Sequence, residues 1–224
     1  MNTLLNTSYR MARVNIPPLS LAANGVTVLA GSNTVAGNEY VLNGVSYLVV
    51  GSRQDIIDAL NAARSMNTLC TTKVTDFTDC FSSFPNFNQN VLNWDMSNAV
   101  NLTNMFKTCQ QFNQDIGSWD VSSVNSFSHT FDGASAFSSN IGSWDVSSAA
   151  DMENMFNNAA SFNQPVEKWD VSNVTNMDSM FASASIFNQD LSDWCVTNLP
   201  TQPTAFDSLA SAWTLPRPVW GTCP

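Results

Sequence analysis

"NQDIGSWDVSSV" (Asn113–Val124) and "SNIGSWDVSSA" (Ser139–Ala149) are near-copies, and "QPVEKWDVSNV" (Gln164–Val174) spells the phrase again. Trp94, Trp119, Trp144, Trp169 and Trp194 recur with a strict 25-residue period. Other columns keep the same phase. One reads Phe81, Phe106, Phe131, Phe156, Phe181 and Phe206; a second reads Phe87, Phe112, Phe137, Phe162 and Phe187. A fixed period of this size points to stacked repeats, because one such unit cannot bury its own apolar face. The Trp-Asp dipeptide suggests a β-propeller, but a four-stranded blade needs about 40–45 residues, which so short a unit cannot supply.

Within a unit the apolar spacing changes character. Trp169 and Val171 lie two apart, the period of a strand with one buried face. Val174, Met177, Met180, Phe181 and Ala184 follow with helical spacing, and Ser172 or Asn173 can cap that start. The spacing therefore predicts an α/β solenoid, with about five or six coils of strand and short helix. A small β-rich N-terminal region precedes it.

The ends are atypical, as the ends of an open stack should be. Asn43–Gly44 separates two β-rich runs in "YVLNGVSYLVV" (Tyr40–Val50), a hairpin signal. Asp55–Arg64 is a better helix former than any later unit, with Ile56 and Ala59 in phase with Phe81 and Phe84. Pro200, Pro203, Pro216, Pro218 and Pro224 stop further repetition. Four segments result: residues 1–50, an N-terminal arm and hairpin region; 51–73, a helical cap coil; 74–199, the repeat array; and 200–224, a Pro-rich C-terminal cap. Cys195 and Cys223 are candidates to staple that tail, a pairing the sequence leaves open.

Composition narrows the function. Eighteen acidic residues against eight basic ones give a net charge of −10, which leaves no cationic patch for nucleic acid or anionic membranes. No stretch has the length of a transmembrane helix, so direct membrane insertion is not expected. The N-terminus carries no uninterrupted apolar run followed by a cleavage site, so export by a removed signal is not expected either. Five cysteines show no CxxC spacing, and no phosphate loop, GxSxG or HExxH motif occurs. Neither a cofactor nor an enzymatic activity is expected.

Several columns still invite chemistry. Asp95, Asp120, Asp145 and Asp170 form a carboxylate ladder that suits calcium or acid/base work; alternatively each caps a turn, and the following Ser favours the cap. The Trp ladder is either a platform for sugar rings or core packing, and its parity with Val favours core. Asn88, Asn113, Asn163 and Asn188 read as an amide ladder that satisfies backbone groups. His129, the single histidine, has no ligand partner at metal spacing and reads as a surface or capping residue. Lys107, Asp132 and Asn157 project beside the constant Phe column and are the candidate ligand-binding positions.

"VTNMDSMFASASIFNQDLSDW" (174–194) and "FNQDIGSWDVSSV" (112–124) resemble the repeat of the BspA-like bacterial surface proteins, leucine-rich-repeat variants also found in mycoplasma lipoproteins. The similarity covers about residues 70–210, and residues 43–77 resemble the lead-in that often precedes such arrays. The resemblance implies placement on a cell or virion surface, with roles in adhesion or recognition and no common enzymatic activity. The expected partners are a cell-surface glycan or protein receptor, or other surface or virion proteins. The lack of an export signal favours the virion, where the chain would be a decoration or fibre component docked through its N-terminal region. A polysaccharide-cleaving enzyme using the carboxylate ladder is the third reading.

Overall fold

The computed structural model describes residues 17–224, so the part of the expected N-terminal arm in residues 1–16 lies outside it. Two small hairpins come first. β1 (Leu19–Leu21) pairs antiparallel with β2 (Val28–Ala30), and β3 (Glu39–Leu42) with β4 (Val45–Val49). Asn43 and Gly44 turn the second hairpin with φ of 52° and 81°, the paired positive values of a type I′ turn. β4 also pairs in parallel with β5 (Leu69–Cys70).

Between them lies α1 (Arg53–Asn61), which begins two residues before the expected start and ends three before the expected end. Its start is a capping box: the Asp55 N–H donates to Ser52 Oγ, and the Ser52 N–H donates to Asp55 Oδ2. Its end comes where Ala63 enters the left-handed region at φ 56°. Ile56 and Ala59 are buried against the first repeat, as their phase predicts.

From Val74 onward the repeat units hold no α-helix and no paired strand among the described residues. This corrects the expected strand at Trp169–Val171 and the expected helix over Val174–Ala184. In their place a single residue per unit bridges in parallel to the next, in the series Asp76, Asn101, Ser126, Asp151, Asn176.

The backbone hydrogen bonds explain the difference. The N–H groups of Phe127, His129, Phe131 and Gly133 donate to the carbonyls of Asp151, Glu153, Met155 and Asn157 in the next unit, at 2.7–3.0 Å. The amides between them, Thr130, Asp132 and Ala134, close turns on the carbonyls three residues back. Asn104, His129, Asn154 and Ser179 take the left-handed conformation, as do Thr108, Gly133, Asn158 and Ser183. A helix sends every amide along its own axis. Here every second amide leaves for the neighbouring unit, while the turns keep the i, i+3 apolar spacing that reads as helical. Each of these amides has a partner, as burial requires.

Side chains stack in the same register. Phe106 lies 5.7 Å from Phe131, and Phe131 5.7 Å from Phe156. Phe112, Phe137 and Phe162 form the second column at 6.0 and 5.8 Å, and within a unit the two Phe rings sit 3.9 Å apart, as Phe131 and Phe137 do. One continuous apolar core runs from Val50 to Trp213.

The last units shift register by one residue. Ser179, Phe181 and Ser183 donate to Thr204, Phe206 and Ser208, one position beyond the pairing that joins Phe131 to Met155. The tail then lies along the final full unit: Leu191 N–H donates to Pro216, Val196 N–H to Thr222, and Cys195 is disulfide-bonded to Cys223.

Candidate functional site

The aromatic columns are closed to ligands. Trp94, Trp119, Trp144, Trp169 and Trp194 are no more than 4% exposed. Trp94 and Trp119 stack at 6.4 Å, Trp119 and Trp144 at 6.5 Å. Each indole N–H donates to a carbonyl of the preceding unit, Trp119 to Val91 and Trp144 to Ile116, for example. A buried Trp needs such an acceptor. The ladder is core, and Phe106, Phe131, Phe156 and Phe181 are fully buried beside it.

The Asn column holds backbone. Asn88 Oδ1 accepts the Asn113 N–H, Asn113 Oδ1 the Ser138 N–H and Asn163 Oδ1 the Asn188 N–H, at 2.8–3.0 Å. The Asp column makes Asx turns. Oδ1 of Asp95, Asp120, Asp145 and Asp170 accepts the N–H of Ser97, Ser122, Ser147 and Ser172 at 3.0–3.1 Å. Hydrogen bonds from the Ser147 hydroxyl and amide hold the Asp145 carboxyl below the usual carboxylate range. No group of three or more His, Cys, Asp or Glu is arranged to hold a metal among the described residues.

The three candidate ligand positions do come together. Lys107, Asp132 and Asn157 belong to successive units, and the repeat register sets them side by side. Asp132 is the hub. Its Oδ2 lies 3.4 Å from Lys107 Nζ and 2.9 Å from His129 Nδ1, and its Oδ1 accepts from Asn157 Nδ2 at 3.0 Å. Asn154 Nδ2 reaches Glu153 Oε1 at 3.2 Å and His129 Nε2 at 3.5 Å. Glu153 Oε2 accepts from Asn176 at 3.3 Å. The side chains are partly exposed, 35% for Lys107, 25% for His129 and 14% for Asp132, so the network meets solvent without being loose. It presents amide and ammonium donors beside carboxylate acceptors, the mix that recognises hydroxyls and peptide groups.

His129 is the member that sequence reasoning misses. It lies three residues before Asp132 in the same tight turn, and that offset is the signal that finds it. The left-handed turn places its ring beside the carboxylate.

The free thiols are inert. Cys70, Cys80 and Cys109 are buried, and burial pushes the Cys109 thiol up to about 12. Among the described residues no helix is long and apolar enough to cross a membrane.

The family described as "Mycoplasma protein of unknown function, DUF285" matches this chain twice, at residues 54–153 and 117–215. The overlapping matches follow from the internal repeat. No curated protein and no solved structure gives a significant match.

Proposed function

From the premise that this chain belongs to the DUF285 family of Mycoplasma proteins, we propose that it is a non-enzymatic recognition module built on a repeat scaffold. The stacked units are the coils of a leucine-rich-repeat-like solenoid, related to the BspA-like surface repeats. The module works at a cell or virion surface, and its partner is a surface glycan or a protein receptor.

The observation that supports this reading is the network on Asp132. The scaffold columns, Trp, Phe, Met and Asn, are absorbed by packing or by backbone. The column of Lys107, Asp132, Asn157 and Ala182 changes chemistry from unit to unit and leaves its polar groups at the surface. A constant scaffold with one changeable column is the division of labour that repeat binders use. With every ladder Trp buried, recognition rests on hydrogen bonds and charge, not on stacking.

The test is retention of the purified protein on immobilised surface polysaccharides and surface proteins. Saturable, selective binding is expected, reduced at least about tenfold by Asp132→Ala, the loss of roughly 1.4 kcal/mol. Binding that Asp132→Ala and Lys107→Ala leave intact would move recognition to another face. No binding at all would leave the chain as a structural part of a larger assembly.

A further inference from the structure

The network on Asp132 holds one group of the kind that changes charge near neutral pH, the imidazole of His129, which is the single histidine of the chain. Its backbone is fixed. The His129 N–H donates to the Glu153 carbonyl of the next unit at 2.7 Å, and the His129 carbonyl accepts the Asp132 N–H at 3.2 Å. Among the described residues, three charged side chains reach the ring. Lys107 comes from the preceding unit, Asp132 from the same turn, and Glu153 from the next unit by way of Asn154.

These contacts select one neutral form of the ring. Nδ1 lies 2.9 Å from Asp132 Oδ2 and 3.3 Å from Lys107 Nζ. A neutral ring nitrogen either donates or accepts, so Nδ1 cannot serve both. Asn154 decides between them. Its Nδ2 donates to Glu153 Oε1 at 3.2 Å, which leaves that same amino group facing His129 Nε2 at 3.5 Å. Nε2 therefore carries the lone pair and Nδ1 the proton. Nδ1–H donates to Asp132, and Lys107, which has no acceptor on the ring, pairs with the same carboxylate oxygen at 3.4 Å. The opposite tautomer would set two acceptors 2.9 Å apart and two donors 3.5 Å apart.

A second proton does not fit this arrangement. On Nε2 it meets the Asn154 donor, and the cationic ring then stands 3.3 Å from the Lys107 ammonium with one Asp132 carboxylate to share. Lys107 is the freer of the two cations, because its long stem lets the ammonium swing into water while the His129 backbone is held.

We propose that His129 is a proton switch for this surface. Neutral, it keeps Lys107, Asp132 and Asn154 in the closed network. Protonated, it takes Asp132 for itself, releases Lys107 to solvent and turns the Asn154 amide over, so that Asn154 Nδ2 leaves Glu153 Oε1. The surface then offers a free ammonium and an unclaimed carboxylate oxygen. That this regulates binding rests on the recognition reading; the rearrangement itself does not.

NMR of the full chain from about pH 8 to pH 5.5, the range in which imidazoles change charge, tests the switch. The ring nitrogens are observed together with the side-chain signals of Lys107 and Asn154. The Nδ1–H tautomer is expected at the upper end, and the Lys107 and Asn154 signals should shift with the same midpoint as the ring. His129→Asn gives this unit the residue that Asn104 and Asn154 supply in the adjoining ones, both in the same left-handed conformation. It should keep the fold and abolish both responses. An Nε2–H tautomer, or a ring that titrates while Lys107 and Asn154 stay still, would overturn the switch. Responses that persist in His129→Asn would do the same, and the wild-type titration decides alone if that variant does not fold. For a surface polysaccharide or protein retained at the upper pH, affinity should change at least about tenfold across the range in the wild-type chain and less than about twofold in the variant. An equal change in both would overturn the regulatory role. Coupled NMR shifts in a chain that retains nothing would sink the recognition reading and leave the switch standing.

Discussion

The two ends of the repeat array face opposite problems and are closed by different means. At the N-terminal end the first unit presents carbonyls. There α1 takes the place of a preceding unit, and the Arg53 guanidinium donates to Thr78 O at 2.6 Å. At the C-terminal end the last unit presents amides. Pro203 removes one of them, while the N–H groups of Ala205, Asp207 and Leu209 find no acceptor among the described residues. The tail closes the other half of that end through the Cys195–Cys223 bridge, the Arg217–Asp207 ion pair at 2.9 Å, and Arg217 stacked 4.4 Å over Trp213. An acceptor edge can be sealed by a folded cap with a cationic side chain. A donor edge is blunted more simply, by proline and a covalent staple.

If the N-terminal seal is a packed cap, its removal should cost the most. Ile56→Ala deletes the fully buried centre of α1 and should destabilise by about 2–5 kcal/mol in urea unfolding. A change no larger than an ordinary surface substitution produces, about 0.5 kcal/mol, would mean that the helix merely decorates the first unit. The C-terminal staple should come next. Replacing Cys195 and Cys223 by Ser opens a loop with a sequence separation of 28 and should cost about 2–4 kcal/mol. Amide exchange should quicken first at Val196, whose N–H the tail accepts, and stay slow at Phe131. Uniform loss across the array would show that the two ends are not independent.

The interior should respond to backbone proximity instead of to caps. A Cβ on Gly142 would run into the Pro165 carbonyl of the next unit, so Gly142→Ala should cost about 1–3 kcal/mol in the same assay. The smallest effect concerns the turns themselves. Asp145 titrates low because Ser147 stabilises its charged form, so its contribution is present above the ordinary carboxylate pKa. It is lost as pH falls through the lower folded value. Ser147→Ala should move the Asp145 titration upward in a carboxyl NMR experiment and shift the acid limb of stability with it.

Much of this was legible because repetition makes side-chain neighbours predictable. The Trp and Phe ladders, the Asn amide ladder and the Asn43–Gly44 turn each follow from phase or from local turn chemistry. Cys195 and Cys223 were legible as candidates to staple the tail, and the structure joins them. The element types were not legible. Val174, Met177 and Met180 keep the same spacing in a helix and in a chain of three-residue turns, and only the direction of alternate amides separates the two. Nor did the column alone reveal that Asp95 differs from Asp145, since the β1–β2 hairpin that buries it lies far upstream, before the array begins. His129 was legible as a capping or surface residue, but its turn neighbour Asp132 was overlooked.

The indole ladder has an optical consequence. Trp94, Trp119 and Trp144 lie in planes only 6° apart, at spacings of 6.4 and 6.5 Å. Chromophores so close and so nearly parallel do not absorb as independent rings; their transitions couple, and excitation hops between them before it is emitted. Near-ultraviolet circular dichroism and fluorescence depolarisation should therefore follow the stacking of the units directly. A break anywhere in that run of indoles would change both signals even while the chain remained folded.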